Sequence, residues 1–237
     1  MTLRGLVFDV DGTLAETEEL HRRAFNEAFI ESGLDWSWDR SLYKKLLDTT
    51  GGKERIGVYQ RDYLGGSQVL DSEEITELHK IKTKRYVALI DRGALTLRPG
   101  IQSLLSEARR AGLFLAIATT TSYPNIDALS YCCWSKPAAE IFDVIASGDE
   151  VKNKKPAPDV YQLSLERLSF SADDCVAFED SENGLLSAKA AGLRVIVTPG
   201  IYTEDQVFEG AVGIFPVIPG LKEISAILSE FSPSTKP

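Results

Sequence analysis

The sequence predicts an α/β fold in which a Rossmann-like parallel sheet forms the core and a small helical cap domain is inserted after the first strand. Three observations carry this expectation. Short apolar or β-branched runs recur along the chain, helical patterns separate most of them, and the stretch from about 16 to 90 shows helical periodicity without a convincing strand. Residues 1–15 and 91–237 are therefore assigned to the catalytic core and 16–90 to the cap.

The elements follow in order. Leu6 to Phe8 is a fully apolar run that predicts a buried first strand. In the cap, Leu20, Ala24 and Ala28 are spaced by four and share a helix face. Lys53 to Leu64 reads as a helix preceded by Gly51 and Gly52. Asp71 and Glu74 make a capping-box pattern ahead of Ile75, Leu78, Tyr86 and Leu89, which fall on one side of a further helix. Ile101 to Ala111 is a helix closed by Gly112, and it leads into a strand over Leu113 to Ala118. Val144 to Ala146 is a third strand, and Asp159 to Leu168 a helix after Pro158. Cys175 to Phe178 is a fourth strand, Gly184 to Ala191 a helix closed by Gly192, and Val195 to Val197 a fifth strand. Strands separated by helices pair in parallel, with helices on both faces. No internal repeat is present, and the tail from Ser232 to Pro237 is expected to fray.

Composition narrows the function. With 237 residues, 43% of them hydrophobic, the chain can bury a full core. A net charge of −9 argues against nucleic acid or an anionic membrane as partner, because both repel an acidic surface, while leaving room for a small anion at one basic site. No run of eighteen apolar residues occurs and no signal-like leader precedes Gly5. The expectation is an unexported monomer of a bacterial cytoplasm or, in a photosynthetic eukaryote, of the plastid stroma after transit-peptide removal. Three cysteines, two of them the adjacent Cys132 and Cys133, fit a reducing compartment, and the two histidines lie far from any cysteine pair that could make a zinc site.

Four groups of polar residues stand at or near strand ends. Asp9 and Asp11 flank Val10 after the first strand, where residues two apart face the same side about 7 Å from one another and Gly12 allows a turn. Such a pair can supply a nucleophile and an acid/base. Thr119 and Thr120 end the strand from Leu113 and offer donors to a phosphoryl oxygen. Lys155, within Lys154-Lys155-Pro156-Ala157-Pro158-Asp159, can neutralise phosphate and nucleophile together, and Glu179 and Asp180 follow the fourth strand with oxygen ligands that suit Mg²⁺. Singly, each is ordinary for a strand end or loop. Together they converge, because the strand ends of an open parallel sheet share one crevice.

In this order and spacing, DVDGT, ATT, KKPAPD and FEDS resemble the four motifs of the haloacid dehalogenase superfamily across the whole chain. The resemblance implies that Asp9 attacks phosphorus and that Asp11 is the acid/base. It also implies Mg²⁺ on Asp9, the carbonyl of Asp11 and Asp180 with Glu179 nearby, and Thr119 and Lys155 on the transferring phosphate. Dehalogenases of the superfamily lack the second Asp, so a phosphatase is expected. The segment after the first motif is similar to the caps of the β-phosphoglucomutase and phosphoglycolate phosphatase branches. ETEELHRRAFN, TTGGKERI and ATTTS resemble more closely the CbbY-like branch, phosphatases of xylulose-1,5-bisphosphate.

Within that cap, Thr50, Gly51 and Gly52 precede a helix whose free amides can bind an anion, and Lys53 and Arg55 sit in its first turn, where the dipole disfavours cations unless an anion compensates. A second substrate phosphate would compensate. Glu16, His21 and Arg40 are the candidates for lining a sugar pocket, beside Thr120. The alternatives kept open are a sugar-phosphate mutase of the β-phosphoglucomutase kind and a phosphoglycolate phosphatase-like hydrolase.

Overall fold

The computed structural model describes residues 3–65, 69–91 and 95–230, and the tail expected to fray lies outside the described residues. Six parallel strands form one sheet, β1 (Gly5–Phe8), β2 (Phe114–Ala118), β3 (Val144–Ala146), β4 (Cys175–Glu179), β5 (Arg194–Val197) and β6 (Gly213–Ile214), in the order β3-β2-β1-β4-β5-β6. β1 lies between β2 and β4, with Phe8 opposite both Ile117 and Phe178. The carboxyl ends of these three strands therefore stand side by side, at the point where the strand order reverses.

Side chains alternate across the sheet as the pleat requires. Leu6 and Phe8 point to one face and pack with α5 (Ile101–Arg110), α6 (Tyr123–Trp134) and α10 (Leu221–Glu230) through Leu104, Leu129 and Ile224. Val7 points to the other face, where α8 (Asp159–Leu168) and α9 (Glu182–Ala190) cover it with Val160, Leu165 and Leu185. Short α7 (Ala138–Ile141) leads into β3. Burial on both faces explains why the strands read as continuous apolar runs.

Between β1 and β2 the described residues form no strand. Ahead of α5 they form α1 (Glu18–Glu31), α2 (Arg40–Leu46), α3 (Gly52–Tyr63) and α4 (Ser72–Ile90). Phe25, Phe29, Trp38, Tyr43, Ile56 and Leu78 build a separate aromatic core among these helices, in which the Phe25 and Trp38 rings lie 4.6 Å apart. Asn26 fastens Trp38 by donating to its carbonyl at 3.0 Å and accepting from its amide at 2.8 Å. The expected capping box opens α4, with Asp71 accepting from the Glu74 amide at 2.9 Å and Glu74 accepting from the Asp71 amide at 2.8 Å. The start of α1 and the end of α4 belong instead to the sheet's own core, through Leu20, Ala24, Tyr86 and Leu89. The helical region is thus rooted directly above β1.

Helices α2, α6, α7 and α10 and the two-residue β6 were not anticipated from the sequence pattern. α9 begins two residues ahead of the expected Gly184, because the Ser181 hydroxyl caps it by accepting from the Gly184 amide at 3.2 Å.

Candidate active site

Asp9 follows β1, its amide still donating to Phe178 in the adjacent strand at 3.0 Å. The backbone then turns at Gly12 (φ +85°), which is needed twice. That φ is unfavourable for other residues, and a Cβ there would run into the Asp180 carboxylate. Arg98 clamps this turn by donating to the carbonyls of Gly12, Thr198 and Pro199.

Lys155 reaches over the end of β1 and donates to Asp9 Oδ1 and Glu179 Oε1, at 2.7 Å each. Asp180 lies beside them, its Oδ2 accepting from the Thr203 hydroxyl at 3.3 Å. Asp9, Glu179 and Asp180 each offer an oxygen within 4.8 Å of the others, and all three are buried. Burial raises the Asp9 carboxyl to about 7, against the pull of Lys155 and with the help of Glu179. Burial, with the charges of Asp9 and Glu179, pushes Asp180 well above the ordinary carboxylate range. Burial also opposes the charge on Lys155, yet Asp9 and Glu179 hold it above the usual lysine range. Three carboxyl groups share one ammonium, and the raised pKa values of Asp9 and Asp180 mark a buried, all-oxygen donor set short of positive charge. A small divalent cation such as Mg²⁺ fits that set.

Asp11 faces the helical side. Its Oδ1 accepts from the Thr17 hydroxyl at 2.6 Å and lies 2.9 Å from His21 Nε2, while His21 Nδ1 lies 2.7 Å from Lys82 Nζ. A proton on Nε2 satisfies both contacts, since Lys82 then donates to Nδ1. The His21 ring stacks on Tyr86 at 3.9 Å. Burial works against ionisation of Asp11, but His21, Thr17 and Lys82 together outweigh it and hold its carboxyl below the usual range. Burial depresses Lys82 to about 8.

Asp9, Asp11, His21, Lys155, Glu179 and Asp180 line one cleft with Thr119, Thr120, Thr50, Gly51, Gly52, Lys53 and Arg55. Thr119 and Thr120 stand just past β2, and the Thr50 hydroxyl donates to the Lys155 carbonyl, joining the loop before α3 to the core. Lys53 faces Asp149, from the loop after β3, at 3.6 Å. Arg55 is buried and donates to the Tyr43 hydroxyl at 3.0 Å and the Leu46 carbonyl at 3.2 Å. The first-turn cations of α3 therefore already have protein partners.

Two expected lining residues stand apart from the cleft. Glu16 turns to Arg98, 3.4 Å from its Nε, and accepts from the Ile201 amide at 3.4 Å. Arg40 is exposed at the start of α2 and pairs with Glu19 at 3.3 Å. In their place the cleft is lined by Glu18, His79, Lys82 and Asn125, which sequence reasoning missed. Lys82 had a usable signal, a charged residue midway between Leu78 and Tyr86 on the buried stripe of α4. Glu18 had none, since an acidic residue in a first helical turn is ordinary.

Residues 3–192 match the haloacid dehalogenase-like hydrolase family. Protein CbbY of Cereibacter sphaeroides is 56% identical over 209 residues, covering 88% of this chain and 90% of that one. A CBBY-like protein of Arabidopsis thaliana is 39% identical over 90% of this chain and 68% of its own. The crystal structure of CbbY from Rhodobacter sphaeroides in complex with phosphate superposes with a TM-score of 0.90 at 52% identity, covering 94% of this chain and all of that one. A mutant of the same protein in complex with xylulose-(1,5)bisphosphate gives 0.89 at 52% identity, over 93% and 98%. A β-phosphoglucomutase from Clostridium difficile, at 20% identity and a TM-score of 0.82, shares the fold. This chain belongs to the haloacid dehalogenase-like hydrolase family and is an enzyme, a phosphatase.

Proposed function

We propose that the enzyme is Mg²⁺-dependent and removes one phosphoryl group from a sugar bisphosphate, xylulose-1,5-bisphosphate, through an aspartyl-phosphate on Asp9. The observation that carries the reading is the buried group formed by Asp9, Lys155, Glu179 and Asp180 at the ends of β1 and β4. In support of the sugar stand the 52% identical structure in complex with xylulose-(1,5)bisphosphate and the cations Lys53 and Arg55, which line the same cleft as the carboxylates.

In this reading an Asp9 oxygen attacks phosphorus and the ester P–O bond breaks. Asp11, entering this step protonated, delivers its proton to the departing sugar oxygen and is left as a carboxylate beside His21 Nε2 at 2.9 Å. Asp11 then takes a proton from a water that attacks the same phosphorus, freeing inorganic phosphate and restoring Asp9. The ionised state in which His21 and Thr17 hold Asp11 is the one this second step requires. Lys155 and Thr119 hold the transferring oxygens, where positioned charge contributes most. Asp9, Asp180 and the main-chain oxygen of Asp11 would hold Mg²⁺ with Glu179 beside them, and the bound ion would offset the charge gathering on the phosphoryl group. Residues 16–90 would act as the cap. Its Gly51-Gly52 amides, Lys53 and Arg55 would take the second phosphate, while His21, Lys82 and Thr120 would face the sugar. Glu16 would support Arg98, and Arg40 would keep to the outer surface.

The reading is tested by phosphate release with and without Mg²⁺ from xylulose-1,5-bisphosphate, ribulose-1,5-bisphosphate, phosphoglycolate and β-glucose-1-phosphate. A strong preference for the xylulose compound is expected. A profile led by phosphoglycolate would remove the named substrate, and isomerisation of glucose-1-phosphate without phosphate release would replace the hydrolase by a mutase.

A further inference from the structure

Glu179 ends β4 with its carboxylate inside the protein, and its two oxygens are treated differently. Oε1 accepts from Lys155 Nζ at 2.7 Å and from the Tyr161 hydroxyl at 2.5 Å. Oε2 is buried and has no hydrogen-bond partner. Gly184, at the start of α9, makes room for it, since a Cβ there would overlap Oε2. A buried carboxylate oxygen without a donor is costly, and the Glu179 carboxylate belongs to the cluster formed with Asp9 and Asp180.

Tyr161 lies on the buried face of α8 with Val160 and Leu165, in one apolar cluster. Packing alone would be served by phenylalanine. The hydroxyl is directed at Oε1, and the Lys155 ammonium stands 5.0 Å from the centre of the ring. Burial, with the charges of Glu179 and Asp9, raises the Tyr161 phenol well above its usual range, so it remains a donor.

We propose that Tyr161 is a positioning residue for the metal site: by donating to Oε1 beside Lys155 it fixes the rotation of the Glu179 carboxylate and leaves Oε2 for the cation or its water. This rests on the reading of the carboxylate cluster as the Mg²⁺ site. Groups that orient metal ligands act in this way, without touching the metal.

The test is calorimetric titration of Mg²⁺ into the metal-free full-length protein, for wild type, Tyr161→Phe, Glu179→Gln, the double variant and Asp180→Asn. Tyr161→Phe should weaken Mg²⁺ binding about tenfold and raise the Mg²⁺ needed for half-maximal phosphate release in proportion, with kcat at saturating Mg²⁺ within about threefold of wild type. The double variant should bind Mg²⁺ no more weakly than Glu179→Gln alone, because the hydroxyl acts only through that carboxylate. Wild-type affinity in Tyr161→Phe, or a full further loss in the double variant, would overturn the role of Tyr161 while the metal site stands. No Mg²⁺ uptake by wild type, or undiminished uptake by Asp180→Asn, would overturn the metal site itself and this inference with it.

Discussion

Lys155 and Asp9 are 146 residues apart in the chain, and their side chains meet at 2.7 Å in a buried ion pair above the end of β1. The pairing forms because β1 and β4 are neighbours and Lys155 enters from the loop ahead of α8, so that one ammonium serves both Asp9 and Glu179.

Replacing that ammonium should cost both stability and turnover. Lys155→Met leaves Asp9, Glu179 and Asp180 facing one another without a cation. Removal of one partner of a buried pair costs about 3–5 kcal/mol, and loss of a donor to the transferring group lowers kcat by roughly 10²–10³. Urea unfolding of the metal-free protein and saturating kinetics measure the two effects separately. Unchanged stability would mean that the carboxylates are not charged together in the folded protein.

Gly12→Ala should damage the same centre by a different route. Its Cβ would overlap Asp180 Oδ2, and the φ of +85° would be strained. Asp180 must then move, so metal affinity and kcat should fall together by about a hundredfold, more than the roughly 1–2 kcal/mol of backbone strain alone would produce. A variant with wild-type metal affinity would show that Asp180 can shift without loss.

Lys82 supplies a pH signature. It is 3% exposed and is faced by His21 from α1, with Asp11 and Glu18 drawing its pKa up and Arg55 from α3 pushing it down. Burial dominates and lowers it from 10.5 to about 8. The folded protein thus loses this proton before the unfolded chain does, and between about 8 and 10.5 the unfolded chain binds more protons. Stability from this group therefore rises with pH through that window, by about 3 kcal/mol in total, and is flat on either side. The difference in unfolding free energy between wild type and Lys82→Met, followed from pH 7 to 11, should show the rise; a pH-independent difference would contradict it.

The two cations at the start of α3 should separate. Lys53→Ala removes a half-exposed ammonium whose protein contact is Asp149 at 3.6 Å, so it should weaken bisphosphate binding more than monophosphate binding and leave the thermal midpoint within about a degree. Arg55→Ala removes the donor to Tyr43 and Leu46 inside the helical core, so it should lower stability by about 2–3 kcal/mol besides weakening the bisphosphate. Equal losses for both kinds of substrate in Lys53→Ala would show that the cleft wall reads something other than a second phosphate.

Much of this was legible in the sequence because parallel strands buried on both faces announce themselves as apolar runs. Asp9, Asp11, Thr119 and Asp180 could then be placed at strand ends by counting. The helical region was legible through the four-residue spacing from Leu20 and the capping box at Asp71. The two-residue β6 and the short α7 carry too few residues to show a period, and α6 contains the run Tyr131 to Trp134, whose apolar faces are not segregated. Glu16 and Arg40 do not line the cleft, because position in sequence does not fix side-chain direction. Arg98 draws Glu16 aside from a distance of 82 residues, and Glu19 holds Arg40 at the surface. Tyr161 falls inside the expected helix from Asp159 to Leu168, and only the position of its hydroxyl connects it to the site.

The most direct measurement is an acid quench of the enzyme during turnover with phosphoryl-labelled xylulose-1,5-bisphosphate and Mg²⁺, followed by mapping of the protein-bound label. The label should reside on the peptide containing Asp9, appear at the rate of the first step, and be absent from Asp9→Asn. Phosphate release at full rate with no label on the protein, or label on a residue other than Asp9, would contradict the aspartyl-phosphate.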